Sequence, residues 1–494
     1  MLQRGGNAVD AALATAIALT VVEPTSNGIG SDAFAILWDG EALHGLNASG
    51  CSPAAQGFEQ FAAGGSVPQR GWPAVTVPGA VSAWVELSRR FGRLPFDDLF
   101  QPAIQYAERG FPVSPITAGA WAASQRALGG FEDFSRSFLT GGKAPLPGET
   151  WRFPDQGATL REIAATGGES FYRGALAEKI AAHARSNGAA LSESDLAAHA
   201  PEWVGTLRTQ FAGADLHEIP PNGQGIAALI ALGILRHTDL AQHEPDSPAW
   251  LHLQVEAMKL ALADAHRYVS DARYAEFEPT ALLADDYLSA RAALIDTQRA
   301  TDFNHGKPRQ GGTVYLTAAD ADGMMVSFIQ SNYMGFGSGV VVPGTGISLQ
   351  NRGAGFVLDE GHPNRYAPGK RPFHTIIPGF LMQGGAPLAS FGVMGGPMQA
   401  QGHAQMSVRM LLHSQNPQAA SDAPRWQVMG GLKLRLEPGY AGQAAESLAA
   451  LGHEVEVAPT TDGSFGGAQL ITRLPTGAYL AGSDSRKDGH AVGF

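Results

Sequence analysis

A single cysteine, Cys51, occurs in 494 residues, so the chain can form neither an internal disulfide nor a cysteine-built zinc site. Charge is sparse too. Only 16% of residues are charged and the formal net charge is −12, with a sequence pI of about 5.7. No basic run stands out, which argues against a nucleic acid or an anionic membrane as partner. The most apolar stretch near the start, Asn7 to Val22 (NAVDAALATAIALTVV), is shorter than the ~20 residues that span a bilayer. Asp10 interrupts it and Glu23-Pro24 ends it. A signal peptide is the alternative reading, since Arg4 precedes the run, but no small-residue cleavage site follows in polar sequence.

What is present is apolar and turn-rich. Hydrophobic residues make up 44%, with 62 glycines and 31 prolines spread along the chain. That composition buries a large core and is not low complexity. A prior of ~150 residues per domain gives about three units, though large layered folds break that rule. Met1 to Gly6 offers neither a cap nor a preceding strand for the helix that follows, so either the helix begins at the terminus or the recorded start lies too far downstream. Localisation stays open on this reading: cytoplasmic as written, secreted or periplasmic if the N-terminus is truncated.

The first half reads as helical. A glycine turn (Asn27 to Phe34) leads into a strand at Ala33–Trp38, and helices are expected at Ala80–Phe91, 98–110, 117–127, 157–166, 174–187, Ile226–Arg236 and Ser247–Tyr268. Residues 269–312 turn polar and aperiodic, as an exposed linker would. Strands then dominate. Thr313–Ala319 and Met325–Ser331 flank Asp320-Ala-Asp-Gly323, and Phe373–Met382 and Leu388–Val393 flank Gln383-Gly-Gly-Ala386; both patterns read as hairpins. Gly395-Gly396-Pro397 opens a helix to about His413. A strand, a helix, a strand and a last hairpin (Gln469–Leu480) complete the chain. Helices followed by antiparallel hairpins suggest sheets covered by helices.

Four groups of residues carry candidate chemistry, and the histidines are weaker candidates. Thr313 follows Gly311-Gly312 and opens a β-prone run. Its hydroxyl can attack the preceding carbonyl, and the cut would leave a free α-amino group with an unperturbed pKa of about 7.7–8, suited to a general base. The plain alternative is a strand threonine after a glycine turn. Gly395 and Gly396 join a strand to a helix, where unpaired N–H groups can stabilise an oxyanion; a simple tight turn is the alternative. Ser331, Asn332 and Tyr333 end the strand paired with that of Thr313, and either orient the threonine, bind substrate or hydrogen-bond their own turn. Arg352, Lys370 and Arg371 lie in glycine-rich loops and either bind a carboxylate or remain solvated. His252 and Glu256 stand four apart on a helix, but no third ligand has a sensible spacing, so no metal is expected. His362 and His374 read as surface or hydrogen-bonded histidines rather than bases.

Taken together, ordered stretches along nearly the whole chain resemble the γ-glutamyltransferase family of N-terminal-nucleophile hydrolases. They include RGGNAVDAALATAIALTVVEPTSNGIGSDAF (4–34), TVPGAVSAW (76–84), GGTVYLTAADADGMMVSF (311–328), PGKRPFHTIIP (368–378), GVMGGPMQ (392–399) and DSRKDGHAVGF (484–494). The resemblance implies an α+β fold of four αββα layers, no cofactor, and a zymogen that cuts itself between Gly312 and Thr313. The large subunit is then 1–312 and the small one 313–494, joined as a heterodimer. It implies Thr313 as nucleophile, Gly395 and Gly396 as oxyanion donors, and Ser331 in place of a second threonine that bonds the nucleophile. Substrates would be small γ-glutamyl or similar carboxylate-bearing amides, as in glutathione metabolism, with water or an amine as acyl acceptor.

The chain departs from that family where the glutamyl group is held. The stretch Leu46-Asn-Ala-Ser-Gly-Cys-Ser-Pro53 lacks the usual arginine. Ala354 and Gly355 stand where an acidic residue is usual, and His374-Thr375 replaces a serine pair. The lid loop between Phe356 and Lys370 is short. These departures resemble acylase-like branches acting on glutaryl-cephalosporins or oxamate, and they make Arg352 the candidate carboxylate anchor, with Tyr333, Asn332, His374 and Thr375 beside it. A non-catalytic binding protein on the same scaffold is the competing reading; loss of Thr313 or of the glycine pair would mark it, and both are present.

Overall fold

The computed structural model describes residues 1–303 and 312–493. Gly311, the end of the expected linker (304–311) and Phe494 lie outside the described residues. The chain forms two compact units, Met1–Val204 with Gly311–His374, and Gly205–Gln310 with Thr375–Phe494. Each unit therefore takes chain from both sides of residue 312.

The first unit is built on an antiparallel sheet ordered Glu202–Trp203, Leu43–Asn47, Asp32–Trp38, Met325–Tyr333, Gly312–Ala319. All nine residues of Met325–Tyr333 are buried, so that strand is apolar on both faces save for polar groups with partners. The helix Ala8–Val22 packs on the Gly312–Ala319 and Met325–Tyr333 strands. It begins at Asn7, where a capping box joins the Asn7 side chain to the Asp10 N–H and the Asp10 carboxylate to the Asn7 N–H. Such reciprocal bonds satisfy two otherwise unpaired helix-end donors. A cap is thus supplied one residue beyond Met1–Gly6. A third donor, Ala8 N–H, bonds the Asp320 carboxylate at 2.9 Å, so the expected Asp320–Gly323 turn also anchors this helix.

The second unit holds a six-stranded antiparallel sheet: Tyr479–Ser483, Gly467–Arg473, Ala386–Met394, Gly379–Gln383, Ala214–Glu218, Leu207–Phe211. The hairpin expected at Phe373–Met382 starts only at Gly379; between Pro372 and Pro378 the described residues carry a single bridge position, His374, and no strand. The helix Gly225–Leu235 is buried along its full length and packs on Pro248–Tyr268 and Met398–Ser407. After Ser407 the helix Met398–Ser407 widens into one π turn, Val408–Leu412.

Residues 269–303 correct the linker expectation. They carry the helix Asp285–Ala292 and bury Leu282 and Leu288. Leu288 packs over Gly233, where an added Cβ would come within 2.6 Å of its Cδ1. The polar composition belongs to the outer face of a segment packed on the core.

Candidate active site

Thr313 lies in the antiparallel ladder beside Met325–Tyr333, at a register shift between Gly312 and Val314. The hydroxyl is buried and its Oγ1 donates to Ser331 Oγ at 3.2 Å. Ser331 Oγ in turn accepts the Tyr333 N–H at 2.8 Å, which fixes the serine rotamer. Tyr333 has φ 76°, a left-handed conformation costly for an aromatic residue and sustained only by its surroundings.

On the other side of Ser331, the ladder pairs it with Asp32. Directly opposed residues of paired strands share a face, so Thr313, Ser331 and Asp32 form a row across three strands. Asp32 is fully buried and was not singled out by sequence reasoning. Its Oδ1 accepts the Gly79 N–H at 3.1 Å and its Oδ2 lies 3.1 Å from His374 Nε2. Gly79 permits this approach: a Cβ there would sit 1.5 Å from Ala48 O. Burial pushes the Asp32 carboxyl up to about 7, against the opposing pull of Arg352, the Gly79 and Gly50 N–H groups and Arg371. Burial also holds His374 well below the usual imidazole value, with Arg352 adding to the shift, so the ring is neutral at pH 7.

Arg352 joins this group. It is 1% exposed, not a solvated cation. Its guanidinium carbon stands 4.7 Å from the Tyr333 ring centroid, a cation–π distance. Burial lowers its pKa to about 10, while Asp32 and then Tyr333 act in the other direction. The other loop cations do structural work. Lys370 Nζ donates to the Pro363 and Arg365 carbonyls, closing the short Phe356–Lys370 loop. Arg371 bonds Ser49 O and pairs with Glu202. His362 accepts the Asn364 N–H in that loop. Asn332 alternates to the opposite side of its strand from Ser331, where it bonds Ser31 and Ser348.

In the second unit, Gly395 (φ 125°) and Gly396 (φ 60°) turn the strand Ala386–Met394 into the helix Met398–Ser407. Two consecutive positive φ values admit glycine and little else. Gln224, also missed in the sequence, braces the turn. Its Nε2 donates to Gly396 O at 2.9 Å and to Thr375 O at 2.7 Å. Two residues before the glycines, Val393 N–H donates to His403 Nε2 at 3.2 Å, and His403 Nδ1 meets Glu218 Oε1 at 2.6 Å. The carboxylate thereby fixes the histidine tautomer.

His252 and Glu256 do acquire a third ligand-type partner. His453, invisible to local spacing, completes a buried group with them. Lys259 is already seated in it, with its Nζ 2.6 Å from Glu256 Oε1 and 3.3 Å from His453 Nδ1. The ammonium supplies the positive charge that such a donor set needs.

Comparison with solved structures identifies the class first. A cephalosporin acylase from Bacillus halodurans superposes with TM-score 0.95 at 47% identity, over 99% of this chain and 92% of that one. The fold is thus the α+β, αββα architecture of the N-terminal-nucleophile hydrolases. The γ-glutamyltranspeptidase family profile matches residues 1–494, and the chain belongs to that family. Curated relatives include the glutathione hydrolase-like proenzyme YwrD of Bacillus subtilis, 36% identical over 503 residues, and the oxamate amidohydrolase proenzyme of Klebsiella pneumoniae, 37% identical over 507 residues. Each alignment covers 100% of this chain and 95% of the relative. The protein is an enzyme, an N-terminal-nucleophile amidohydrolase.

Proposed function

We propose that the chain is a self-processing threonine amidohydrolase that removes a small, carboxylate-bearing acyl group from its amide. The buried Thr313–Ser331 hydrogen bond carries this reading: it places an oriented hydroxyl immediately after Gly312. In processing, Thr313 Oγ attacks the Gly312 carbonyl carbon, the peptide bond from that carbon to Thr313 N breaks, the nitrogen takes up the hydroxyl proton, and an ester links the fragments. Water then hydrolyses that ester, leaving the Gly312 carboxylate on the 1–312 subunit and a free α-amino group on the 313–494 subunit, the two remaining associated as a heterodimer.

In turnover the same hydroxyl attacks the substrate amide. The α-amino group takes the hydroxyl proton and returns it to the departing amine, and water releases the acid from the acyl-enzyme. An amine can replace water, but the short Phe356–Lys370 loop favours hydrolysis. Ser331 orients the nucleophile. Gly395 and Gly396 are assigned the oxyanion, a role supported by their backbone geometry and by the family resemblance. Arg352 is assigned the acyl carboxylate, because it is a buried cation against Tyr333, whose N–H bonds the serine that holds Thr313. Relatives named for oxamate, cephalosporin and glutathione substrates fit an acid-bearing acyl group. The test is denaturing mass spectrometry followed by a panel of oxamyl, succinyl, glutaryl and γ-glutamyl amides. Two fragments split after Gly312 are expected, with activity confined to acid-bearing amides; an intact chain after long incubation at neutral pH overturns the reading.

A further inference from the structure

The charges around Asp32 constrain which acid can enter. In the first unit, Arg352 and Asp32 sit in one buried group with a neutral His374. The other ionisable groups that act on Asp32 or feel its charge are Arg371, tied to Glu202, and the Tyr172 phenol, kept protonated by burial. With Asp32 ionised, Arg352 and Asp32 cancel. A carboxylate bound to Arg352 then leaves a net negative charge in a desolvated space, which is costly. Two kinds of acyl group escape that cost. One carries its own ammonium beside the carboxylate. The other arrives with a proton.

Resting on the assignment of Arg352 as anchor, we infer that Asp32 is the specificity-determining residue of the acyl site: it takes up one proton when a plain carboxylate binds and none when an amino-acid head binds. The row Thr313–Ser331–Asp32 places this acid one strand beyond the serine that holds the nucleophile, in the buried group that holds Arg352. Its hydrogen-bond shell accommodates both states. The ionised carboxylate accepts from Gly79 N–H and His374 Nε2–H, and the protonated carboxyl keeps the Gly79 bond on its other oxygen. A carboxyl pushed up to about 7 by burial titrates where the enzyme works.

The test uses the processed wild-type enzyme and the acids it would release. Oxalate, succinate, glutarate and L-glutamate are assayed as competitive inhibitors from pH 6 to pH 8.5. Proton uptake is counted at pH 8 by calorimetry in two buffers of different ionisation enthalpy. For the best plain diacid, inhibition is expected to weaken about tenfold per pH unit above Asp32's titration, with close to one proton taken up. L-Glutamate should show neither effect. Asp32→Asn should remove the proton uptake and flatten the pH dependence, which separates Asp32 from the Thr313 α-amino group. Uptake of no proton by wild type, equal uptake for diacid and glutamate, or uptake unchanged in Asp32→Asn each overturns the inference. Failure of every acid to compete at pH 6, or unchanged inhibition in Arg352→Gln, instead overturns the anchor on which it rests.

Discussion

Two buried polar groups, one in each compact unit, look alike in composition and differ in what they leave undone. In the second unit His252, Glu256, Lys259 and His453 form a closed set. Lys259 bonds Glu256, His453 and Thr301 O, while Glu256 bonds Thr301 N–H and His252 bonds Asp296 O. Its charges cancel, and it ties residues 296–301 to the helix Pro248–Tyr268. In the first unit Thr313, Ser331, Tyr333, Asp32, His374 and Arg352 combine the proposed nucleophile's hydroxyl, a strained backbone and a carboxyl shifted into the physiological range. Complete internal neutralisation marks a structural group; a hydroxyl, a strained residue and a titratable acid gathered together mark a reactive one.

That contrast can be broken by substitution. Thr313→Ala has the largest expected effect: fragments should be absent in denaturing mass spectrometry and amide hydrolysis should be lost. Next comes Lys259→Met, which strands Glu256 in the closed group and should cost about 3–5 kcal/mol of stability, read as a lower unfolding midpoint, with turnover per processed molecule unchanged. A large fall in that turnover would erase the distinction between the two groups. Ser331→Ala should slow both processing and kcat by roughly ten- to a hundredfold, the range of a hydrogen bond worth about 1.5–3 kcal/mol.

pH sharpens the comparison further. Burial, then Lys259 and His252, push His453 down to about 3. An unfolded histidine binds a proton near 6.5, so the unfolded state holds more protons between those values. Stability from this neutral ring is present above pH 6.5 and declines as pH falls from there towards 3; denaturant titrations of His453→Gln should show a shallower acid limb than wild type. The smallest effect is expected for Arg371→Gln. Its partner Glu202 is half exposed, so the change should cost under about 1 kcal/mol and leave KM within about twofold, unlike Arg352→Gln.

Much of the setting of Thr313 was legible in the chain. The Asp320–Gly323 turn fixed a hairpin, and the hairpin put Ser331 beside Thr313. The glycine pair declared its turn because few other residues tolerate two positive φ values. Asp32, Gln224 and the His403–Glu218 pair were not legible, because each acquires meaning from partners far away in sequence, as Asp32 does from His374 and Arg352. His453 stands 201 residues from His252, beyond any ligand spacing rule. Residues 269–303 misled for a different reason: composition reports the outer face, while Leu282 and Leu288 face the core.

The interleaving of the two units has a consequence for the protein's lifetime. The strand Asp32–Trp38 pairs along its whole length with Met325–Tyr333, across residue 312, and the second sheet likewise joins Ala214–Glu218 to Gly379–Gln383. If the proposed cut falls at the 312–313 bond, neither fragment alone contains the full five-stranded or six-stranded sheet. One chain folded the protein, but two chains of fixed stoichiometry would have to meet again to refold it. The proposed processing would therefore make refolding depend on concentration. An enzyme processed as proposed would persist by the slowness of its unfolding rather than by its capacity to refold.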